Sequence, residues 1–184
     1  QMKLLGGKEK LASFLDTLFT TSSKLTGHKQ PDISGMIGQY VHGNEPSHQI
    51  AYEYNYAGQP WKTQAIVRRI MNEMYHDKPD GLSGNEDCGQ MSAWYIFSAL
   101  GFYPVCPGSE QYAIGSPAVD RASIHLENGN HFSITVNDNQ PQNVYISSVK
   151  LNGSDYAKSY LTYTDITNGG TLEINMSAQP NKNW

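Results

Sequence analysis

The feature that most constrains this chain is the run Met91–Leu100. Met91, Ala93, Trp94, Tyr95, Ile96, Phe97, Ala99 and Leu100 leave a helix apolar nearly all round. Such a helix must be covered on most of its sides. Gly101 is placed to end it, and Pro104 and Pro107 forbid its continuation. Directly before it stands Gly84-Asn85-Glu86-Asp87-Cys88-Gly89-Gln90, two acids and an amide between glycines. Asp87 reads as the N-cap, its carboxylate accepting orphan N–H bonds and kept ionised by the helix dipole. A carboxylate held in this way suits a general base and equally suits an ordinary cap. Glu86 points elsewhere, because adjacent residues do not share a helix face.

Upstream, Lys8–Thr20 reads as an amphipathic helix, with Leu11, Phe14, Leu15, Leu18 and Phe19 on one face. A polar loop follows to Asp32. A second polar cluster, Gly38-Gln39-Tyr40-Val41-His42-Gly43-Asn44-Glu45-Pro46-Ser47-His48, precedes a helix expected from Pro46 to about Tyr56 and ended by Gly58. Pro60 opens another, Trp61 to Tyr75. Its buried stripe is Ile66, Val67, Ile70, Met71 and Met74, with Lys62, Arg68, Arg69 and Glu73 outside.

After Cys106 the period changes from helical to two. Residues 122–126, 132–136, 144–146 and 171–176 alternate, with Asn128-Gly129, Asn152-Gly153 and Asn168-Gly169-Gly170 as turns. His131, Asp155 and Asp165 read there as surface and turn residues. The expected fold is therefore α+β, with helices over 1–105 and an antiparallel β-sandwich over 106–184.

A formal charge of −4 with 13 basic residues in no dense patch speaks against nucleic acid. No stretch reaches the length of a membrane span. Cys88 and Cys106 flank a helix of about 12 residues, roughly 18 Å long. They are expected to be unbridged and mostly buried.

Together the two polar clusters, H-G-N-E-P-S-H and G-N-E-D-C-G-Q-M-S-A-W, with Tyr54-Asn55-Tyr56-Ala57-Gly58-Gln59-Pro60-Trp61 between them, resemble the C-terminal part of glycoside hydrolase family 92. The resemblance runs over essentially the whole chain, from Gly6-Gly7-Lys8 to Trp184. It implies a calcium-dependent, inverting exo-α-mannosidase acting on terminal mannose of glycans such as high-mannose N-glycans. It also implies that residues 1–105 are the last helices of an (α/α)6 barrel. The rest of the barrel and an N-terminal β-sandwich would come from a missing N-terminal part of the same protein. A bacterial, periplasmic or secreted location is implied as well.

By the same resemblance Asp87 is the general base. Asn85 falls where some members carry a second Asp; an amide can orient a water but cannot take its proton. The general acid lies in a motif resembling E-G-N-x-W, absent here, so this chain alone is expected to be inactive. Glu45, with Asn44, is the expected calcium ligand, as hard oxygens suit that ion; the residues by themselves also permit a capping Glu. His48 is a candidate sugar contact or a satisfied buried His. His28 matches the first member of a His-Glu pair that contacts the leaving sugar in α-1,2-cleaving relatives. Lys29 replaces the acid, so no linkage preference carries over.

Two other readings differ in class. One is a non-catalytic carbohydrate-binding or structural module. The other is a hydrolase with Cys88 as nucleophile beside His42 or His48, for which no pattern speaks.

Overall fold

The computed structural model describes residues 2–27, 33–106 and 108–184. Its helical part opens with α1 (Met2–Leu5) and α2 (Lys8–Thr20). On α2, Leu11, Ala12, Leu15 and Phe19 are buried, whereas Phe14 of the expected face is exposed. A small antiparallel ribbon follows, β1 (Met36–Ile37) with β2 (Tyr40–Val41). The single helix expected from Pro46 to Tyr56 is instead two 3₁₀ turns, Glu45–Ser47 and Ile50–Tyr52, and a short α3 (Glu53–Tyr56). Tight turns of this kind rarely extend beyond a few residues.

Helix α4 (Pro60–Met74) starts on its proline, as expected. Val67, Ile70, Met71 and Met74 are buried, and so are Gln64 and Arg68. Arg68 was expected outside the stripe. It is buried because α4 also packs against the β part, where its Nη2 donates to the carbonyl of Pro117 and to Asn139 Oδ1. Gln64 Oε1 accepts from the amide of Ile146, 3.0 Å away. These polar bonds tie the two parts together across the face that sequence periodicity marks as outside.

Helix α5 (Gln90–Leu100) ends at Gly101, whose φ of 100° needs a residue without a Cβ. Trp94 is fully buried, but Ile96 on the same helix is 58% exposed. The expectation of burial on most sides therefore holds only for the Met91, Trp94, Ser98 and Ala99 side.

The β part holds two sheets. One is β3 (Phe102–Tyr103), β4 (Gln111–Ile114) and β9 (Tyr160–Thr162), in that order. The other has the order β5 (Arg121–His125), β6 (His131–Asn137), β10 (Gly170–Ser177), β7 (Tyr145–Leu151) and β8 (Ser154–Asp155). Phe102, Ile114 and Leu161 of the first sheet share a core with Phe132, Ile134, Ile146, Leu172 and Ile174 of the second. The sheet is mixed rather than antiparallel, since β10 runs parallel to β6 while pairing antiparallel with β7. A short helix, α6 (Tyr163–Thr167), links β9 to β10. It is started by a capping box between Thr162 and Asp165, which makes Asp165 structural. Neither cysteine is in a disulfide. Both are exposed, which corrects the expectation of burial.

Candidate active site

The site is built where two glycines let two loops touch. A Cβ on Gly43 would run into Ser34 Oγ and the carbonyl of Ser83. One on Gly84 would lie 3.1 Å from the Gly43 Cα. Ser34 fastens the pair: its Oγ donates to Ser83 O at 3.0 Å, and its carbonyl accepts from Gly43 N at 3.1 Å. Immediately beyond the glycines come Asn44-Glu45 on one strand of chain and Asn85 and Asp87 on the other. All four line one cleft of about 300 Å³ with Ser34. A larger hollow of about 520 Å³ adjoins it through Asn44 and Glu45, walled by Pro46, Phe97, Pro104 and Val105 with Gln49, Gln90 and Tyr103.

Asp87 is not the cap of α5. That position is Gly89, which carries no side chain to cap with. The capping is done by Glu86, whose carboxylate accepts from Ser92 N at 3.0 Å and Ser92 Oγ at 2.9 Å. Asp87 and Cys88 instead take φ of 50° and 56°, followed by Gly89 at 91°. Two consecutive non-glycine residues in the left-handed region cost about 1–3 kcal/mol each and are concentrated at functional sites. The turn they form aims Asp87 into the cleft, against Glu45. The Glu45 carboxylate is in side-chain hydrogen-bond contact with Asp87. Glu45 is held below the usual carboxylate range by its own backbone N–H first and by this bond to Asp87 second.

Behind the cleft lies a buried polar chain. Tyr75 donates its proton to Met91 O at 3.1 Å, so it must accept from His42 Nε2, 2.6 Å away. His42 Nδ1 then accepts from Tyr40 at 2.8 Å. His48 Nε2 donates to His42 O, and its Nδ1 accepts from Gln90, both at 3.0 Å. Trp94 Nε1 donates to His48 O. Both histidines are therefore neutral. Burial pushes His42 down to about 3, and burial also lowers His48. With both nitrogens occupied and 1% of its surface exposed, His48 supports the Glu45 turn from behind. Its burial and bonding are those of a satisfied buried His. The rings of His42 and His48 lie 4.8 Å apart between centroids, tilted by 32°. His28 lies outside the described residues.

The structure thus brings together Asn44, Glu45, Asn85 and Asp87. Sequence reading missed Ser34, Gln90 and Tyr103. Gln90 stood within the motif already singled out, but nothing marked Ser34 or Tyr103.

Residues 2–178 match the glycosyl hydrolase family 92 catalytic domain, and the chain belongs to that family. It is 47% identical to a family GH92 alpha-mannosidase from Bacteroides thetaiotaomicron solved with mannoimidazole; 96% of this chain and 23% of that one superpose with a TM-score of 0.91. A family GH92 inverting mannosidase from Bacteroides thetaiotaomicron VPI-5482 is 39% identical, with a TM-score of 0.83 over 98% of this chain and 26% of that one. A curated relative, described as an uncharacterized secreted glycosidase of Arthroderma benhamiae, is 30% identical over 181 residues, 97% of this chain and 21% of its own length. The chain therefore spans about a fifth to a quarter of the length of these relatives.

Proposed function

We propose that this chain carries the base and cation side of a calcium-dependent, inverting exo-α-mannosidase centre. The observation that carries the reading is the contact between Glu45 and Asp87 in the cleft formed at Gly43 and Gly84, in a chain of this family. An inverting glycosidase needs an acid and a base roughly 6.5–9.5 Å apart, with a water between. Glu45 and Asp87, in hydrogen-bond contact, are too close to be that pair. Asp87 is then the base, and the acid comes from another segment of the longer protein, which leaves this chain without turnover on its own. Asn85 orients the attacking water beside Asp87.

The donor set fits calcium. Two carboxyl groups and two amides line one small cleft, all offering hard oxygens. Glu45 and Asn44 would hold the ion, which when bound would supply a Lewis-acid grip on the hydroxyls of a terminal mannose. Asp87 accepts the proton of the water as the sugar passes through an oxocarbenium-like state. The adjoining hollow, with Phe97 and Tyr103 on its walls, lies beside the same carboxylate and suits the apolar face of a sugar ring. The substrate is accordingly the terminal α-mannoside of a glycan, met in a periplasmic or secreted setting. Among the described residues no helix is long and apolar enough to cross a membrane.

The test is mannose release by the longer protein, with and without a chelator. Chelation should abolish it and calcium should restore it. Glu45→Gln should weaken calcium affinity while leaving the fold intact. Full activity in chelator would overturn the cation assignment.

A further inference from the structure

We propose that His125 and His131 form a bidentate site for a transition-metal dication of the Ni²⁺, Cu²⁺ or Zn²⁺ class. The two residues are direct cross-strand partners on β5 and β6. Both are exposed, and their rings stand 4.4 Å apart between centroids at 87°. Two nitrogens bound to one ion at ~2.0–2.1 Å are at most about 4 Å apart. Rings this close can meet that span by rotation about their side-chain bonds.

The site is accessible and held in place. β5 is the edge strand of its sheet, and the segment beside His131, Gly169-Gly170, carries no side chains to crowd it. The hairpin end is tied down by Asn128 and Asn130, whose Nδ2 atoms both donate to Thr167 O at 2.9 and 3.1 Å. Leu126 N also donates to Asn130 O at 2.9 Å, directly beyond the histidine pair. A fixed pair loses less freedom on closing around an ion than two mobile side chains would.

The donor type sets the ligand class. Imidazole suits nickel, copper and zinc, whereas calcium and magnesium require oxygen donors. This site is thus chemically distinct from the Asn44–Glu45–Asp87 cleft. Among the described residues no group of three His, Cys, Asp or Glu could hold a metal ion. The ion would therefore keep open positions for water or for a donor from another molecule.

The experiment titrates the tag-free chain with Ni²⁺ in saturating Ca²⁺, by calorimetry and by paramagnetic broadening of histidine ring signals. His125→Asn and His131→Asn should each weaken binding by at least the ~10- to 100-fold that loss of a mere outer-shell partner costs. His76→Asn, at the other exposed histidine of the described residues, should leave it unchanged. In the parent chain, the His125 and His131 signals should broaden together and first. Unchanged affinity in both variants, or first broadening at His76, would mean a packing pair only and overturn the site.

Discussion

Gly84 rests on Gly43 so closely that a Cβ on the first would lie 3.1 Å from the Cα of the second. That approach sets Asn44-Glu45 and Asn85-Asp87 around one cleft. Gly43→Ala would drive a methyl into Ser34 Oγ and Ser83 O, and Gly84→Ala would also place alanine at φ 129°. Overpacking of this kind costs about 1–3 kcal/mol. Either variant should lower the unfolding free energy from urea titration by that amount and weaken calcium binding together with it. A variant that loses stability yet binds calcium as before would separate the glycine contact from the site.

Sequence reading reached this cleft by an indirect route. Periodicity located α2, α4 and α5, and alternation located the strands at 121–125, 131–137 and 170–177, because local burial imposes those periods. It failed wherever a non-local contact decides. Arg68 is buried by a β part that a helix period cannot register. The parallel β6–β10 pairing joins segments far apart in sequence. Asp87 was singled out as a cap, but Glu86 caps the helix, since the left-handed turn at Asp87 and Cys88 reassigns the roles of neighbours.

His42 makes stability depend on pH. In an unfolded chain a histidine takes its proton near 6.5, whereas in the fold His42 takes it only near 3. Between those values the unfolded state binds more protons, so stability rises with pH and is lost as pH falls below 6.5. From pH 7 to pH 5, above the carboxylate range, His42 alone should remove about 2 kcal/mol. His48 is lowered too and acts in the same direction. Urea unfolding at the two pH values checks this, and a flat profile would contradict it.

Arg68 should matter to the join between the helical and β parts. Arg68→Met keeps much of the buried stem but leaves Pro117 O without its donor. An orphaned buried acceptor costs about 1–3 kcal/mol. A matching drop in the unfolding midpoint is expected, while Arg69→Met, whose ion pair with Glu73 is half exposed, should change it little.

The most direct test of the account is Asp87→Asn in the longer protein, beside Cys88→Ala. Loss of the base should cut kcat by at least the ~10²-fold that general acid–base help supplies, with the fold retained and mannoside still bound. Cys88→Ala, at an exposed thiol, should be nearly neutral. Equal losses from the two substitutions, or an Asp87→Asn enzyme that turns over at the parent rate, would contradict the assignment of Asp87 as the base.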